Sequence, residues 1–352
     1  MESIIECIKR VPQVLENILE NHEVYLKEFQ QVIAERKIDE IIFIGSGTSN
    51  TSAVTAQPFV EKVSGIRTTV VSSNEFMYHR YLRNPKALYV FTSQTGTSHF
   101  VREAQREFRE RGYLTAVISE SSQTPLAKES GIFIYMGCGE EDCPMRTIGY
   151  CASVLLHMLM GLVMGKTYGY LTQKEYDAYL GEMKKIPASN EKIRKQALIW
   201  MDQARRKMFQ SQVIIFTGAG MLYGLSLEGA MKIWECPQIA SVGYELEEGM
   251  HGPNYGYNSN HCVIVLNDGT EERKSLALAR WMKEIKNNGF VIGRKVVDDQ
   301  DLQVDLQTEN FTALELAAAV QVIAYRLAYD GGRDLTAPHD NSIMESYFKT
   351  HD

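Results

Sequence analysis

The sequence has 352 residues, of which 44% are hydrophobic and 23% are charged, and its formal net charge is −7. This composition is ordinary for a globular protein, and the length allows two domains with sizeable cores. The sequence has no Lys/Arg-rich tract, which argues against a nucleic-acid-binding protein, because such a protein carries a basic cluster on one face. It does not argue against a phosphate ligand, since N–H groups at a helix N-terminus can hold one phosphate without net positive charge.

Six cysteines are scattered along the chain without the paired spacing of a metal site. The first residues include acids and no basic segment, which is not typical of a secretory signal. We therefore expect a cytoplasmic protein with free thiols, no metal and no cofactor. Residues 149–165 are almost wholly apolar, but they are short for a membrane span and include His157. They predict a buried central helix, and we expect no membrane partner.

The first forty residues carry apolar positions at helical spacing and predict helix. Short apolar runs then predict strands at 41–44, 67–71, 87–91, 114–118 and 132–135. Helical stretches separate most of these runs, and this alternation predicts a parallel sheet covered by helices on both faces. A charged, lysine-rich segment at 167–210, which contains Pro187, predicts joining helices. After it, strands are predicted at 213–216, 261–266 and 290–297, and helices at 271–287 and 312–329.

An internal repeat connects the two halves. The pattern I-F-x-G-x-G occurs at residues 42–47 and again at 215–220, an offset of 173 positions from residue 42 to residue 215. The pair Gly-Thr at 96–97 recurs at 269–270 with the same offset. Two independent motifs at one offset predict two homologous copies of one unit.

The sequence thus predicts an α/β protein with two tandem doubly wound parallel-sheet domains, each a three-layer αβα unit. We place N-terminal helices at 1–30, the first domain at 31–166 and a helical linker at 167–195. The second domain follows at 196–335, and residues 336–352 form a C-terminal tail over the active site.

Two loops that follow strands in the first copy, at 45–52 and 92–98, are dense in glycine and hydroxyl side chains. Ligands of doubly wound sheets bind beyond the carboxyl ends of the strands, and N–H and hydroxyl groups there can donate to phosphate oxygens. Helix capping and turn formation explain a single such loop equally well. Two of them at equivalent strand ends favour a phosphate site. No P-loop lysine follows, so a nucleoside triphosphate with magnesium is not indicated.

The second copy differs at the corresponding positions. Asn267 and Asp268 replace Gln94 and Thr95, and Leu222 replaces Ser49. An aspartate would repel a phosphate dianion. We therefore expect phosphate binding in the first copy and the chemistry in the second.

Four segments resemble the sugar isomerase (SIS) domain family: Gly47–Ser49, Ser93–Gly96, Leu227–Glu235 and Glu248–Pro253. The resemblance is greatest to the two-domain members, which include the isomerase half of glucosamine-6-phosphate synthase and the fructosamine-6-phosphate deglycases. It implies a phosphosugar enzyme whose substrate is a phosphorylated sugar or sugar-amine. No glutaminase domain precedes the first unit in this sequence, so transfer of ammonia from glutamine is not expected of this chain alone.

The resemblance also implies roles for individual residues. Glu235 matches the glutamate that moves protons between the first two sugar carbons. His251 matches a histidine that handles the ring oxygen and enters from the neighbouring subunit, which implies a homodimer with a shared active site. The candidate phosphate-binding residues, of which all but the glycine match family positions, are Gly47, Thr48, Ser49, Ser93, Gln94, Thr95 and Ser98.

The residues themselves leave alternatives open. Lys232 and Glu235 are three positions apart and share a helical face, but such a pair is commonly a solvated ion pair. His251 lies in a Gly/Pro-rich bend, where an imidazole suits ring opening and is also common as a surface residue. We take Glu235, His251 and Lys232 as catalytic candidates, with the role of Lys232 undecided, and interpret Glu247 and Glu248 as solvated or structural.

One departure from the family bears on the reaction. The synthase forms a Schiff base with a lysine near its C-terminus, and alignment from Pro338 puts Ile343 at that position. A substrate that already carries an amine at carbon 1 would not need this lysine, so the sequence favours a deglycase acting on a 6-phosphofructosamine. The alternatives are an aldose–ketose isomerase or deaminase of an amino-sugar 6-phosphate, and a non-catalytic phosphosugar sensor. Other polar tail residues that could reach the site are His339, Lys349 and His351.

Overall fold

The computed structural model describes residues 3–79, 83–143, 145–336 and 342–351. The strands are β1 (Glu40–Gly45), β2 (Arg67–Ser72), β3 (Ala87–Thr92), β4 (Leu114–Ser119), β5 (Ile132–Tyr135), β6 (Val213–Gly218), β7 (Ala240–Glu245), β8 (His261–Asn267), β9 (Gly289–Gly293) and β10 (Leu302–Gln303). The helices before the second sheet are α1 (Ile4–Tyr25), α2 (Lys27–Glu35), α3 (Thr48–Ser64), α4 (Ser73–His79), α5 (His99–Glu110), α6 (Pro125–Lys128), α7 (Ile148–Thr167), α8 (Gln173–Met183) and α9 (Ile186–Phe209). The later helices are α10 (Met221–Glu235), α11 (Leu246–Gly249), α12 (Pro253–Gly256), α13 (Glu272–Lys286), α14 (Thr312–Asp330) and α15 (Ser342–Tyr347).

The chain divides into two compact units, each with a five-stranded sheet. The first unit holds residues 14–181 and the C-terminal segment 342–351, and the second holds residues 182–336 and the start of α1. The strand orders are β2-β1-β3-β4-β5 and β7-β6-β8-β9-β10, and every pairing is parallel. The predicted fold class of two doubly wound units is therefore confirmed. In each sheet the strand order reverses beside the first strand, which makes a crevice at the carboxyl edge.

The repeat is visible in backbone geometry. Gly47 and Gly220 precede α3 and α10 with nearly identical angles, φ 57° and ψ −131° against φ 58° and ψ −128°. Positive φ at this position favours glycine. A Cβ on Gly45 would lie 2.8 Å from Ser49 Cβ, and one on Gly218 would lie 2.7 Å from Leu222 Cβ. Each strand end thus needs glycine for the following helix to begin so close to it.

The apolar segment around His157 is α7, whose residues from Ile148 to Gly165 are all buried inside the first unit. This confirms the prediction of a buried central helix. It packs on α3 at close range, because a Cβ on Gly161 would lie 2.9 Å from Val60 Cα. On the other face of the sheet, alternate strand residues pack with side chains of α4 and α5 in one apolar cluster.

The second sheet contains the differences from prediction. The strand predicted at 290–297 ends at Gly293, because the chain turns there and Arg294 N–H donates to Asn267 O at 2.9 Å. Strands β7 and β10 were not predicted. β7 lacks a continuous apolar run, and its Gly243 has no room for a side chain, since a Cβ would lie 2.5 Å from Ser226 O. The segment predicted as joining helices forms α8 and α9, with Pro187 in the first turn of α9.

Candidate active site

A cavity of about 550 Å³ opens at the carboxyl edge of the first sheet, within the size range of ligand pockets, about 300–1,000 Å³. All seven predicted phosphate-binding residues, from Gly47 to Ser98, line it. The structure therefore brings the two loops together at one cavity. Seven further lining residues were not among those candidates: Ser46, Thr97, Arg146, Gly149, Ser153, Thr350 and His351.

Five residues of the loop after β3 line this cavity: Ser93, Gln94, Thr95, Thr97 and Ser98. Within the part of the chain that the structure describes, the N–H groups of residues 94–98 donate to no protein acceptor. Neither N-cap residue, Gly47 before α3 or Ser98 before α5, caps its helix through a side chain. Orphan N–H groups at helix starts attract anions, and none of the described lining side chains is a carboxylate. The cavity is thus electrostatically suited to an anion.

Hydroxyl groups in the same loops are arranged in pairs. Ser93 Oγ lies 3.1 Å from Ser98 Oγ, and Thr95 Oγ1 lies 2.8 Å from Thr97 Oγ1. In each pair one hydroxyl proton serves the neighbouring oxygen and the other is left to donate elsewhere. The pairs therefore hold the loop in shape and still offer donors to a ligand.

The side chain of Gln94 is held by another residue of the first unit. Its Nε2 donates to the carboxylate of Glu141 at 3.2 Å, and its Oε1 lies where a side chain on residue 149 would be, 1.9 Å from a Cβ placed on Gly149. The amide therefore forms part of the cavity wall. The backbone N–H of Gln94 remains among the unbonded donors of the loop.

Glu141 caps α7 from outside the helix. Its carboxylate accepts from the N–H groups of Thr147 at 2.7 Å, Ile148 at 3.0 Å and Gly149 at 3.1 Å, and from Thr147 Oγ1 at 3.0 Å. These groups are the donors that an anion would otherwise use at the helix start. A buried carboxylate of the protein thus already occupies the N-terminus of α7.

The C-terminal segment also reaches the cavity. His99 N–H donates to Thr350 O at 3.1 Å, and Ser98 and His351 form an antiparallel bridge. His351, one of the predicted tail residues, lines the cavity. Ile343 lies on α15 with 75% of its surface exposed. Pro338, from which the tail is aligned, and the tail candidate His339 lie outside the described residues.

In the second unit, α10 carries a buried charge cluster. Lys232 is fully buried, with its Nζ 2.6 Å from Glu235 Oε2 and 3.5 Å from Glu228 Oε1. Glu228 is also fully buried, whereas the Glu235 side chain is 35% exposed. Burial alone would lower the pKa of Lys232, but the two carboxylates outweigh it and raise that pKa above the usual lysine value. This pair is therefore not the solvated surface pair that its spacing also allowed.

Among the described residues, His251 has its ion-pair partner in Glu247 and not in the α10 cluster. Its side chain is 72% exposed, and Nδ1 lies 3.5 Å from Glu247 Oε1. Glu247 in turn pairs with Lys274 at 2.7 Å, which lowers the pKa of the glutamate. Within the described residues, no hydrogen bond or ion pair joins His251 to Glu235. The structure thus leaves the imidazole open to solvent.

The second copy of the phosphate loop is filled by its own side chains. Asp268 accepts from Thr270 N–H at 2.9 Å and from Thr312 Oγ1 at 2.6 Å, and Asn267 Oδ1 accepts from Gly269 N–H at 3.0 Å. The carboxylate therefore takes a loop N–H that would otherwise be open to an anion.

Sequence reasoning missed Arg146 and Glu141 because neither lies in a repeated motif. Arg146 follows β5, whose carboxyl end lies at the same sheet edge as the two loops. That position was the available signal, since polar residues beyond several strand ends of one parallel sheet converge.

Comparisons with known proteins agree with this architecture. Residues 35–165 match the SIS domain family model. The glutamine–fructose-6-phosphate aminotransferase [isomerizing] of Tropheryma whipplei (strain Twist) is 26% identical over 351 residues, which cover 94% of this chain and 56% of that protein. The chain thus spans little more than half the length of the curated relatives it matches.

Two solved structures share the fold over almost the whole chain. A candidate phosphosugar isomerase from Clostridium difficile 630 has a TM-score of 0.90 at 23% identity and covers 100% of both chains. The C-terminal domain of glucosamine-fructose-6-phosphate aminotransferase from Francisella tularensis has a TM-score of 0.87 at 22% identity, covering 96% of this chain and 98% of that one. Residues 35–165 are thus similar to a SIS domain, and the chain as a whole shares the fold of these two solved structures.

Proposed function

We propose that the chain is a phosphosugar deglycase, which cleaves a 6-phosphofructosamine into a hexose 6-phosphate and a free amine. The observation that carries this proposal is the first-unit cavity, where unbonded N–H groups and hydroxyls converge without a carboxylate among the described lining residues. Such a set of donors fits a phosphate dianion. The names of the curated relatives, which contain fructose 6-phosphate, support a sugar phosphate as the ligand.

The reaction needs one proton moved from carbon 1 to carbon 2 of the open-chain sugar. Removal of the carbon-1 proton gives an enaminol, and its return to carbon 2 gives an imine between carbon 1 and the amine nitrogen. Water then adds to carbon 1 and the C–N bond breaks, so one water is consumed and an aldose 6-phosphate and an amine are released. A single carboxylate that takes and returns the proton suffices for the transfer.

Glu235 is the proposed carrier of this proton. Lys232 holds Oε2 at 2.6 Å, and Oε1 has no hydrogen bond to a described residue. Its side chain is 35% exposed, so a substrate can reach it. Lys232 is proposed to position the carboxylate, because the buried ammonium between two glutamates leaves Glu235 little freedom to turn away.

The tail supports an amine-bearing substrate over a free ketose. Ile343 is an exposed apolar residue and cannot form an imine with a ketose. In a 6-phosphofructosamine the amine nitrogen is already attached at carbon 1 and supplies the electron pair that a lysine would supply. An aldose–ketose isomerase or deaminase of an amino-sugar 6-phosphate remains the second candidate, favoured by the isomerizing activity in the names of the curated relatives.

The test is release of lysine from fructoselysine 6-phosphate or glucoselysine 6-phosphate, followed by mass spectrometry. Glu235→Gln is expected to abolish the release, since an amide cannot accept the proton. Glu248→Gln, a matched change at an exposed glutamate of the same unit, is expected to retain it. No release from either adduct, together with turnover of glucosamine 6-phosphate, would support the second candidate instead. Undiminished release by Glu235→Gln would remove that residue from the mechanism.

We further propose that the protein acts as a homodimer and that His251 serves the site of the other subunit. Its exposed side chain is available to a second copy. Mixing the inactive variants Glu235→Gln and His251→Ala should then restore about a quarter of the wild-type activity, because half of the random dimers contain one intact site of two. Recovery of no activity in the mixture would place both residues in one subunit's site.

A further inference from the structure

Arg146 differs from the other residues of the first-unit cavity. It belongs to neither phosphate loop, because it follows β5 and precedes α7. Its Nη1 donates to the backbone carbonyl of Glu141, which fixes one edge of the guanidinium. Within residues 3–79, 83–143, 145–336 and 342–351, no ion pair joins Arg146 to a carboxylate. A half-buried guanidinium in a cavity without a carboxylate wall is available to an anionic group of a ligand.

The phosphate has donors of another kind. The loops of the first unit offer the unbonded N–H groups of residues 94–98 and the hydroxyls paired as Ser93 with Ser98 and Thr95 with Thr97. These groups can meet the oxygens of one phosphate without a cation. The cavity of about 550 Å³ is also larger than a single phosphate needs.

Next to α7, the cavity offers an anion the guanidinium of Arg146, because the N-terminus of the helix is not open. The helix N-terminus next to it is already occupied by the carboxylate of Glu141. Burial raises the pKa of Glu120 while Arg146 acts on it in the opposite direction, so that acid lies near Arg146 without pairing with it. An anion on this side of the cavity would therefore meet the guanidinium rather than helix N–H groups.

We propose that Arg146 binds a carboxylate on the amine half of the substrate, so that the enzyme selects adducts of amino acids over adducts of uncharged amines. The inference rests on the proposed deglycase function and names its substrate class. Two devices for anions, a loop site and a planar guanidinium, match a substrate with two anionic groups. Arginine forms parallel N–H···O bonds with carboxylates in a fork that lysine cannot reproduce.

Binding measurements on a matched pair of ligands test this without requiring turnover. The pair is the 1-deoxyfructose 6-phosphate adducts of glycine and of glycinamide, which have nearly the same size and differ in the carboxylate. By calorimetry, the wild-type protein is expected to bind the glycine adduct roughly 10- to 100-fold tighter, the range of a hydrogen bond to a charged group. Arg146→Gln should reduce this preference to near unity, and Arg146→Lys should retain part of it. Arg67→Gln, an exposed arginine at the start of β2, is the control that keeps the preference.

Binding of glucose 6-phosphate, which lacks the amine half, shows whether Arg146→Gln affects recognition of the carboxylate or instead affects the phosphate site or the fold. If Arg146→Gln weakens glucose 6-phosphate and both adducts by one common factor, Arg146 contacts the phosphate or supports the fold, and the inference is wrong. Equal affinity of the wild-type protein for the two adducts overturns it as well. Selective binding of the glycine adduct without any release of glycine would refute the deglycase function and leave the role of Arg146 supported.

Discussion

The buried charges on α10 lead to a prediction about stability. Lys232 lies 2.6 Å from Glu235 and 3.5 Å from Glu228, and both Lys232 and Glu228 are fully buried. Lys232→Met removes the cation that lies 3.5 Å from the buried carboxylate of Glu228. Breaking one side of a buried ion pair costs about 3–5 kcal/mol, so we expect the free energy of unfolding to fall by that amount. Replacing both partners by apolar residues of similar volume is often close to neutral. The double variant Lys232→Met with Glu228→Leu should therefore be more stable than Lys232→Met alone.

The measurement is urea unfolding followed by tryptophan fluorescence. All three tryptophans, Trp200, Trp234 and Trp281, lie in the second unit, so the signal reports on the unit that carries the mutation. Lys274→Met, which removes an exposed lysine of the same unit, should leave the transition almost unchanged. A double variant as unstable as Lys232→Met, or a loss below about 1 kcal/mol in the single variant, would show that the cluster is solvated and refute the reasoning.

Three further predictions concern other polar groups. Burial lowers the pKa of His157 from 6.5 to about 3, so the unfolded chain binds a proton there that the folded one does not. This group should therefore lower the free energy of unfolding as the pH drops below 6.5, by about 1.4 kcal/mol per pH unit down to pH 3. In urea unfolding followed by circular dichroism, His157→Leu should reduce the pH dependence by this contribution, and an unchanged slope would contradict it. Glu141→Gln should lower the free energy of unfolding by about 2 kcal/mol, because one amide oxygen cannot accept from all the N–H groups that the carboxylate holds, and an unchanged urea midpoint would contradict the capping role. Asp268→Ala should lower the free energy of unfolding by about 1–3 kcal/mol, and adding Thr312→Val should lower it little more, because both changes remove the same hydrogen bond. If the two losses simply add in a double-mutant cycle, that bond contributes nothing to stability.

Sequence patterns predicted those structural features that occur in both copies of the repeated unit. The two I-F-x-G-x-G motifs led to two copies of one unit, and the structure gives the two motifs the same backbone angles at Gly47 and Gly220. Apolar runs found the central strands, since those strands are buried on both faces. They did not find β7, whose residues are all half-buried and whose Gly243 lies against the backbone of Ser226 in α10.

The features that remained hidden depend on partners distant in sequence or on burial that spacing does not show. Lys232 and Glu235 have the spacing of a surface pair, and only the packing of α10 makes Lys232 a buried group. Gln94 is a phosphate candidate because it matches a family position, and the sequence did not show that its amide donates to Glu141, 47 positions away. A pattern within one loop cannot report which side chain arrives from another strand end.

The two copies show how one backbone can serve two purposes. In both, the residue before the first helix is a glycine with positive φ, which has no side chain to cap the helix. In the first copy the N–H groups of residues 94–98 donate to no described residue, so they are open to solvent or to the proposed phosphate. In the second copy Asn267 and Asp268 satisfy Gly269 and Thr270 from within. The difference lies in which group meets the loop donors: side chains of the chain itself meet two of them in the second copy, whereas those of the first copy stay open to the proposed phosphate.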